Sequence, residues 1–187
     1  MNTTKLLKTL SSTLALAAAA AAPLQAARAH GDAPAGDFHL QTLLAEARKA
    51  TAAFRDVGAA KTAQYGEFKD AQQIACIDKV GQGGMGTHYV KLSLVQDPAL
   101  DPMRPEALIY EKGESGKLEL VGVEYIVDQA TWDALHPEAP VLFGHPFHLV
   151  RAGNRYGLAA FYELHVWLWK HNANGLFNDW NPAVSCN

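Results

Sequence analysis

Apolar residues follow two different periods along this chain. Leu40, Leu43, Leu44, Ala47, Thr51 and Phe54 recur at helical spacing and predict a helix over 37–57, with Arg48, Lys49 and Arg55 mostly off its apolar face. Gly58 marks a break, a shorter helix is predicted over 59–65, and Gly66 ends it. From Ile74 the pattern changes to short strands punctuated by Gly and Pro. Strands are predicted over 88–95, 107–111, 117–128 and 157–170, with one or two helical turns over 129–135 and an irregular tail over 171–187. Gly81-Gln82-Gly83-Gly84-Met85-Gly86 reads as a turn whose backbone bends sharply or passes close to another segment. It lacks the GKS/T ending and the βαβ setting of a nucleotide loop.

Helices first and strands afterwards give an α+β fold, with N-terminal helices packed on a mainly antiparallel sheet or small β-barrel. The expected organisation is one domain over 37–187, divided into a helical cap over 37–72 and a β-rich core over 73–187.

Alternation within the strands singles out three polar residues. On the 117–128 strand, Val121, Val123, Tyr125 and Val127 share one face, and Leu118, Leu120, Glu124 and Ile126 the other. Glu124 therefore falls among apolar neighbours, where a carboxylate needs a partner, a proton or a cation. His88 shares its strand face with Val90, Leu92 and Leu94, and His165 shares one with Phe161, Glu163, Trp167 and Trp169. Two histidines and a carboxylate on three strands are the material of a facial metal triad, and a sheet holds such ligands rigidly. The competing expectation is that the histidines are hydrogen-bonded core residues.

Residues 1–29 change the picture of where the chain works. Lys5 and Lys8 precede an apolar, alanine-rich stretch, and Ala27-Arg28-Ala29 is a small-x-small cleavage site. The expectation is an export signal cut after Ala29, a flexible leader over 30–36, and a periplasmic or secreted protein with no integral membrane segment after cleavage. The signal carries three basic residues, Lys5, Lys8 and Arg28, and no acid, so the mature chain is more acidic than the formal −3 of the whole. An acidic chain without a basic stripe argues against a nucleic-acid partner.

Cys76 and Cys186 are the two cysteines, and in an oxidising compartment they are expected to pair, closing a loop of roughly 110 residues that stabilises by about 4–5 kcal/mol. The alternative is that both thiols serve one metal site.

Other candidates are weaker. His145 and His148 form an H-x-x-H within Gly144-His145-Pro146-Phe147-His148, a spacing that suits either a loop metal site or a solvated turn. His30, if N-terminal, offers an amine and an imidazole together, as in secreted copper proteins. Trp167, Trp169, Phe177 and Trp180 suit either stacking on a ligand or packing. Ser93, Ser115 and Ser185 lack a nucleophile-elbow context.

The stretch 76–187 resembles a group of exported bacterial proteins of unknown function. The likeness rests on Gly84-Met85-Gly86-Thr87-His88-Tyr89, Pro105-Glu106-Ala107-Leu108-Ile109-Tyr110, Leu120-Val121-Gly122-Val123-Glu124-Tyr125, Leu164-His165-Val166-Trp167-Leu168-Trp169 and Asn181-Pro182-Ala183-Val184-Ser185-Cys186, with Ala53-Phe54-Arg55-Asp56-Val57 upstream. It implies that His88, Glu106, Glu124, His165 and both cysteines occupy signature positions, and it supplies no activity. Asn172-Ala173 and Tyr65-Gly66 depart from that pattern without touching the candidate ligands.

The expected function is divalent-metal binding (zinc, copper, iron or manganese) in a pocket built on His88, Glu124 and His165. The alternative is a non-catalytic extracytoplasmic module that binds a small molecule in an aromatic-lined pocket.

Overall fold

The computed structural model describes residues 35–186. The expected signal segment, its cleavage point and His30 lie outside the described residues, while Ala35 and Gly36 of the expected leader already belong to the first helix.

Helix α1 spans Ala35–Thr51 and buries Leu44, Ala47 and Thr51, the last donating its hydroxyl to the Ala47 carbonyl at 2.8 Å. A 3-10 turn, Ala52–Arg55, leads to α2, Val57–Thr62. The helical run thus breaks earlier than Gly58 because Asp56 is extended, and its carboxylate caps α2 by accepting the Gly58 N–H at 2.9 Å.

The strands are β1 (Gly66–Glu67), β2 (Cys76–Lys79), β3 (Gly83–Val90), β4 (Ala107–Lys112) and β5 (Leu118–Asp128), followed by the paired β6 (Val141–Leu142) and β7 (His145–Pro146), then β8 (His148–Val150) and β9 (Phe161–Val166). Two short helices intervene, α3 (Leu92–Val95) and α4 (Gln129–Leu135). Seven strands form one antiparallel sheet in the order β1-β3-β4-β5-β9-β8, with β2 on a second stretch of β3. The order has two ends, so the sheet is open, and of the two architectures expected it is the sheet and not the barrel. The fold is α+β, with the N-terminal helices packed on the sheet.

β3 departs from expectation at both ends. It starts at Gly83 because the glycine run passes tightly beneath the C-terminal segment. Gly84 and Asn181 exchange backbone hydrogen bonds at 3.1 and 3.0 Å, and a side chain on Gly83 would fall on the Asn181 carbonyl. It stops at Val90 because Leu92–Val95 winds into α3, where the Leu94 N–H donates to the Lys91 carbonyl at 2.9 Å. β9 is shorter than the predicted 157–170. Past Val166, the Trp169 and Lys170 N–H groups both reach the Val121 carbonyl at 3.1 Å instead of continuing a ladder.

Val121 is also the residue that changes the face assignment of β5. Ile109 pairs with Gly122 and Tyr110 with Leu120, so Val121 is a bulge. Leu120 therefore joins Val123, Tyr125 and Val127 in the cluster with Leu44, Ala47 and Ala60, and Val121 turns to the other face with Ile109, Trp167 and Val184. Buried tyrosines tie the helical side down: Tyr110 donates to the Phe54 carbonyl at 2.6 Å, and Tyr65 to that of Pro105 at 2.8 Å.

The face away from the helices carries Glu124 and His165. Part of it lies under the C-terminal segment, fastened by the Cys76–Cys186 disulfide, whose Cα atoms are 5.6 Å apart. That bond removes both thiols from any metal site. No helix among the described residues is long and apolar enough to cross a membrane.

Candidate metal centre

Three strands bring His88, Glu124 and His165 together on this face. Glu124 and His165 are direct cross-strand partners in the β5–β9 ladder. His88 is two strands from Glu124, across β4. In the register His88 lies opposite Ile109, and Ala107 stands between Val90 and Glu124. All three side chains are buried.

His88 Nε2 faces His165 Nε2 at 3.3 Å and Glu124 Oε2 at 3.5 Å. Ligand bonds of about 2.0–2.1 Å at tetrahedral angles set neighbouring ligand atoms about 3.3–3.4 Å apart, so one ion suits this spacing. The other nitrogen of His165, Nδ1, makes no hydrogen bond. It looks toward Asp179 Oδ1 at 3.6 Å and Glu124 Oε1 at 3.8 Å. A carboxylate behind a ligating imidazole fixes the tautomer that leaves Nε2 free for the ion.

The electrostatics separate the two histidines. Burial and the neighbouring His165 push His88 down to about 3, which keeps it neutral and its lone pair available. Burial acts the same way on His165, but the Glu124, Asp179 and Glu163 carboxyls outweigh it and push that ring up to about 9. Burial lifts Glu124 well above the usual carboxylate range; Glu163 and Asp179 add to this and His165 opposes it. Burial also acts to lift Asp179, yet His165 and His148 hold it below its ordinary value. An ion taken up through His165 Nε2 therefore displaces a proton.

Two hollows adjoin the cluster. One, of about 140 Å³, is walled by Phe68, Val90, Ile126, Tyr156, Leu158 and Phe161, with His88, Glu124 and Glu163 supplying its imidazole and carboxyl groups. The other, of about 220 Å³, is lined by His145, His148, Glu163, Phe177 and Asp179 among others.

The remaining candidates fall elsewhere. Glu106 is buried outside the cluster and accepts the Ile126 N–H at 3.0 Å. His145 and His148 of the H-x-x-H differ: His145 stacks on Phe177 with centroids 4.6 Å apart, while His148 pairs with Glu163 across β8 and β9. Trp167 packs in the core and donates to the Asn178 carbonyl at 2.6 Å. The asparagines of the tail build turns, as Asn172 does by accepting the Asn174 N–H at 3.0 Å and Asn181 by accepting the Ala183 N–H at 2.9 Å.

Glu163 and Asp179 are the residues the sequence reasoning did not place in the site. Glu163 carried a signal, since it alternates with His165 on one face of β9. Asp179 carried none, because it reaches the cluster from an irregular segment with no period.

Comparisons with protein-family models, with curated proteins and with solved structures give no match, so the functional reading rests on this geometry.

Proposed function

We propose that this is an exported protein that binds one divalent metal ion through His88 Nε2, His165 Nε2 and a Glu124 oxygen. The observation that carries the reading is the meeting of two imidazoles and a carboxylate at a buried point, where His88 Nε2 lies 3.3 Å from His165 Nε2 and 3.5 Å from Glu124 Oε2 and one donor atom of each residue lies within 4.8 Å of the others. Two imidazoles and one carboxylate suit zinc, copper, iron or manganese. Three protein ligands leave a coordination position open, which supports Lewis-acid or redox chemistry on a small molecule in the adjoining cavity. Export is supported by the basic-then-apolar leader and by the disulfide, which persists in an oxidising compartment.

Elemental analysis of untagged protein recovered after export, without chelator, tests the reading. Near-stoichiometric metal that is lost in His88→Ala and in His165→Ala is the expected result. A metal-free protein that also ignores added ions removes it.

The cavity favours a second reading, a binding module without a metal. Its wall of about 140 Å³ is mostly apolar and matches a small uncharged molecule with one polar group. In that case His165→Ala changes ligand binding or stability and leaves metal content at background.

A further inference from the structure

The cluster does not end at its three central residues. Glu124, Glu163 and Asp179 place three carboxyl groups in one network. Among the described residues the ion pairs of lysine and arginine lie elsewhere, at Glu67, Asp101, Asp70 and Glu111. The ion-pair partners of these three carboxyl groups are histidines, His88, His148 and His165, and Glu124 also hydrogen-bonds Glu163. Glu163 and Asp179 carry the network from the buried cluster out to the His148 side.

The geometry there is that of a second donor set. His148 Nδ1 stands 3.2 Å from Asp179 Oδ2 and 3.7 Å from Glu163 Oε1. One donor atom from each of the three lies within 4.8 Å of the others. His148 and Glu163 are direct partners in the β8–β9 ladder, so the sheet itself fixes two of the three. A separate observation fixes the orientation of Asp179. His165 is fully buried and its Nδ1, without a hydrogen bond, aims at Asp179 Oδ1, which leaves Oδ2 for the His148 side. Asp179 therefore turns one oxygen inward to His165 and the other outward to His148.

We infer that His148, Glu163 and Asp179 form a second divalent-cation site, distinct from the buried one and joined to it through the Asp179 carboxylate. One imidazole and two carboxylates make a harder donor set than the first site and suit manganese or zinc. His148 is half exposed and lines the 220 Å³ hollow, so this ion exchanges with solvent more readily than the buried one. The inference stands on its own donor atoms and does not require an ion at His88.

Calorimetric titration of chelator-stripped, untagged protein with Zn²⁺, and separately with Mn²⁺, tests it, using His148→Ala and His88→Ala. The His148 side chain is more than half exposed, so His148→Ala leaves the core intact, and circular dichroism checks the folding of both variants. Expected are two equivalents in the parent, the weaker one lost in His148→Ala and the tighter one lost in His88→Ala. One equivalent unaffected by His148→Ala overturns the second site and leaves the first. One equivalent lost in His148→Ala and kept in His88→Ala supports the second site and removes the first. One equivalent lost in both variants means a single shared ion and overturns the two-site reading. No binding overturns both.

Discussion

Asp179 stands 3.6 Å from His165 Nδ1, behind the ring nitrogen that faces His88. It is a loop carboxylate aimed at a strand imidazole from the side away from Nε2. Asp179→Asn removes the charge and keeps the shape. If the proposed ion binds, the expected result is a protein that folds normally and holds that ion about 10- to 100-fold more weakly, the usual cost of losing a carboxylate behind a ligating histidine. Competition against a chelator of known affinity measures this. An unchanged affinity would show that Asp179 has no part in the centre.

Gly83 and Gly144 both sit in the left-handed region, at φ +95° and +70°. Only Gly83 also has a carbonyl where a Cβ would go; Gly144 has open space. Gly83→Ala is expected to cost about 2–4 kcal/mol, from backbone strain and the collision with the tail, and Gly144→Ala about 1–2 kcal/mol, from strain alone. Denaturant unfolding of the two variants decides it. Equal losses would mean the tail yields freely to β3.

Glu106 makes stability depend on pH. Burial is the main cause that pushes its carboxyl up to about 8, against the Ile126 and Glu106 backbone N–H groups, which favour the charged form. The folded state then binds a proton that the unfolded chain releases above about pH 4.5. The contribution is fully present below pH 4.5 and is lost as pH rises through 8, with a slope of up to about 1.4 kcal/mol per pH unit. Glu106→Gln keeps an acceptor for the Ile126 N–H and is expected to flatten that slope. Unfolding curves at pH 5, 6.5 and 8 for both proteins provide the check, and parallel curves would assign the slope to another group.

His88, Glu124 and His165 were legible in the sequence because strand alternation places each of them on an apolar face, where an ionisable group needs a reason. Their convergence was not. It depends on strand order and on the β5–β9 register, and neither of these is a local property. The α+β class followed from the change of period, and the disulfide from having two cysteines. The bulge at Val121 was hidden because both faces of β5 are apolar there, so moving one valine across leaves the pattern intact. The early end of β3 was hidden for a related reason: Leu92, Leu94 and Val95 continue an apolar run that suits either a strand or a helical turn.

Glu163 borders both hollows, the mostly apolar one beside Phe161 and the one beside His148. It is a partition with two doors of opposite polarity. A hydrated cation passes the imidazole and carboxylate mouth at lower cost than the hydrocarbon one, and an uncharged organic molecule has the reverse preference. On the proposed reading, a cation and an uncharged molecule would thus be sorted by solvation before any ligand bond forms, each through its own mouth.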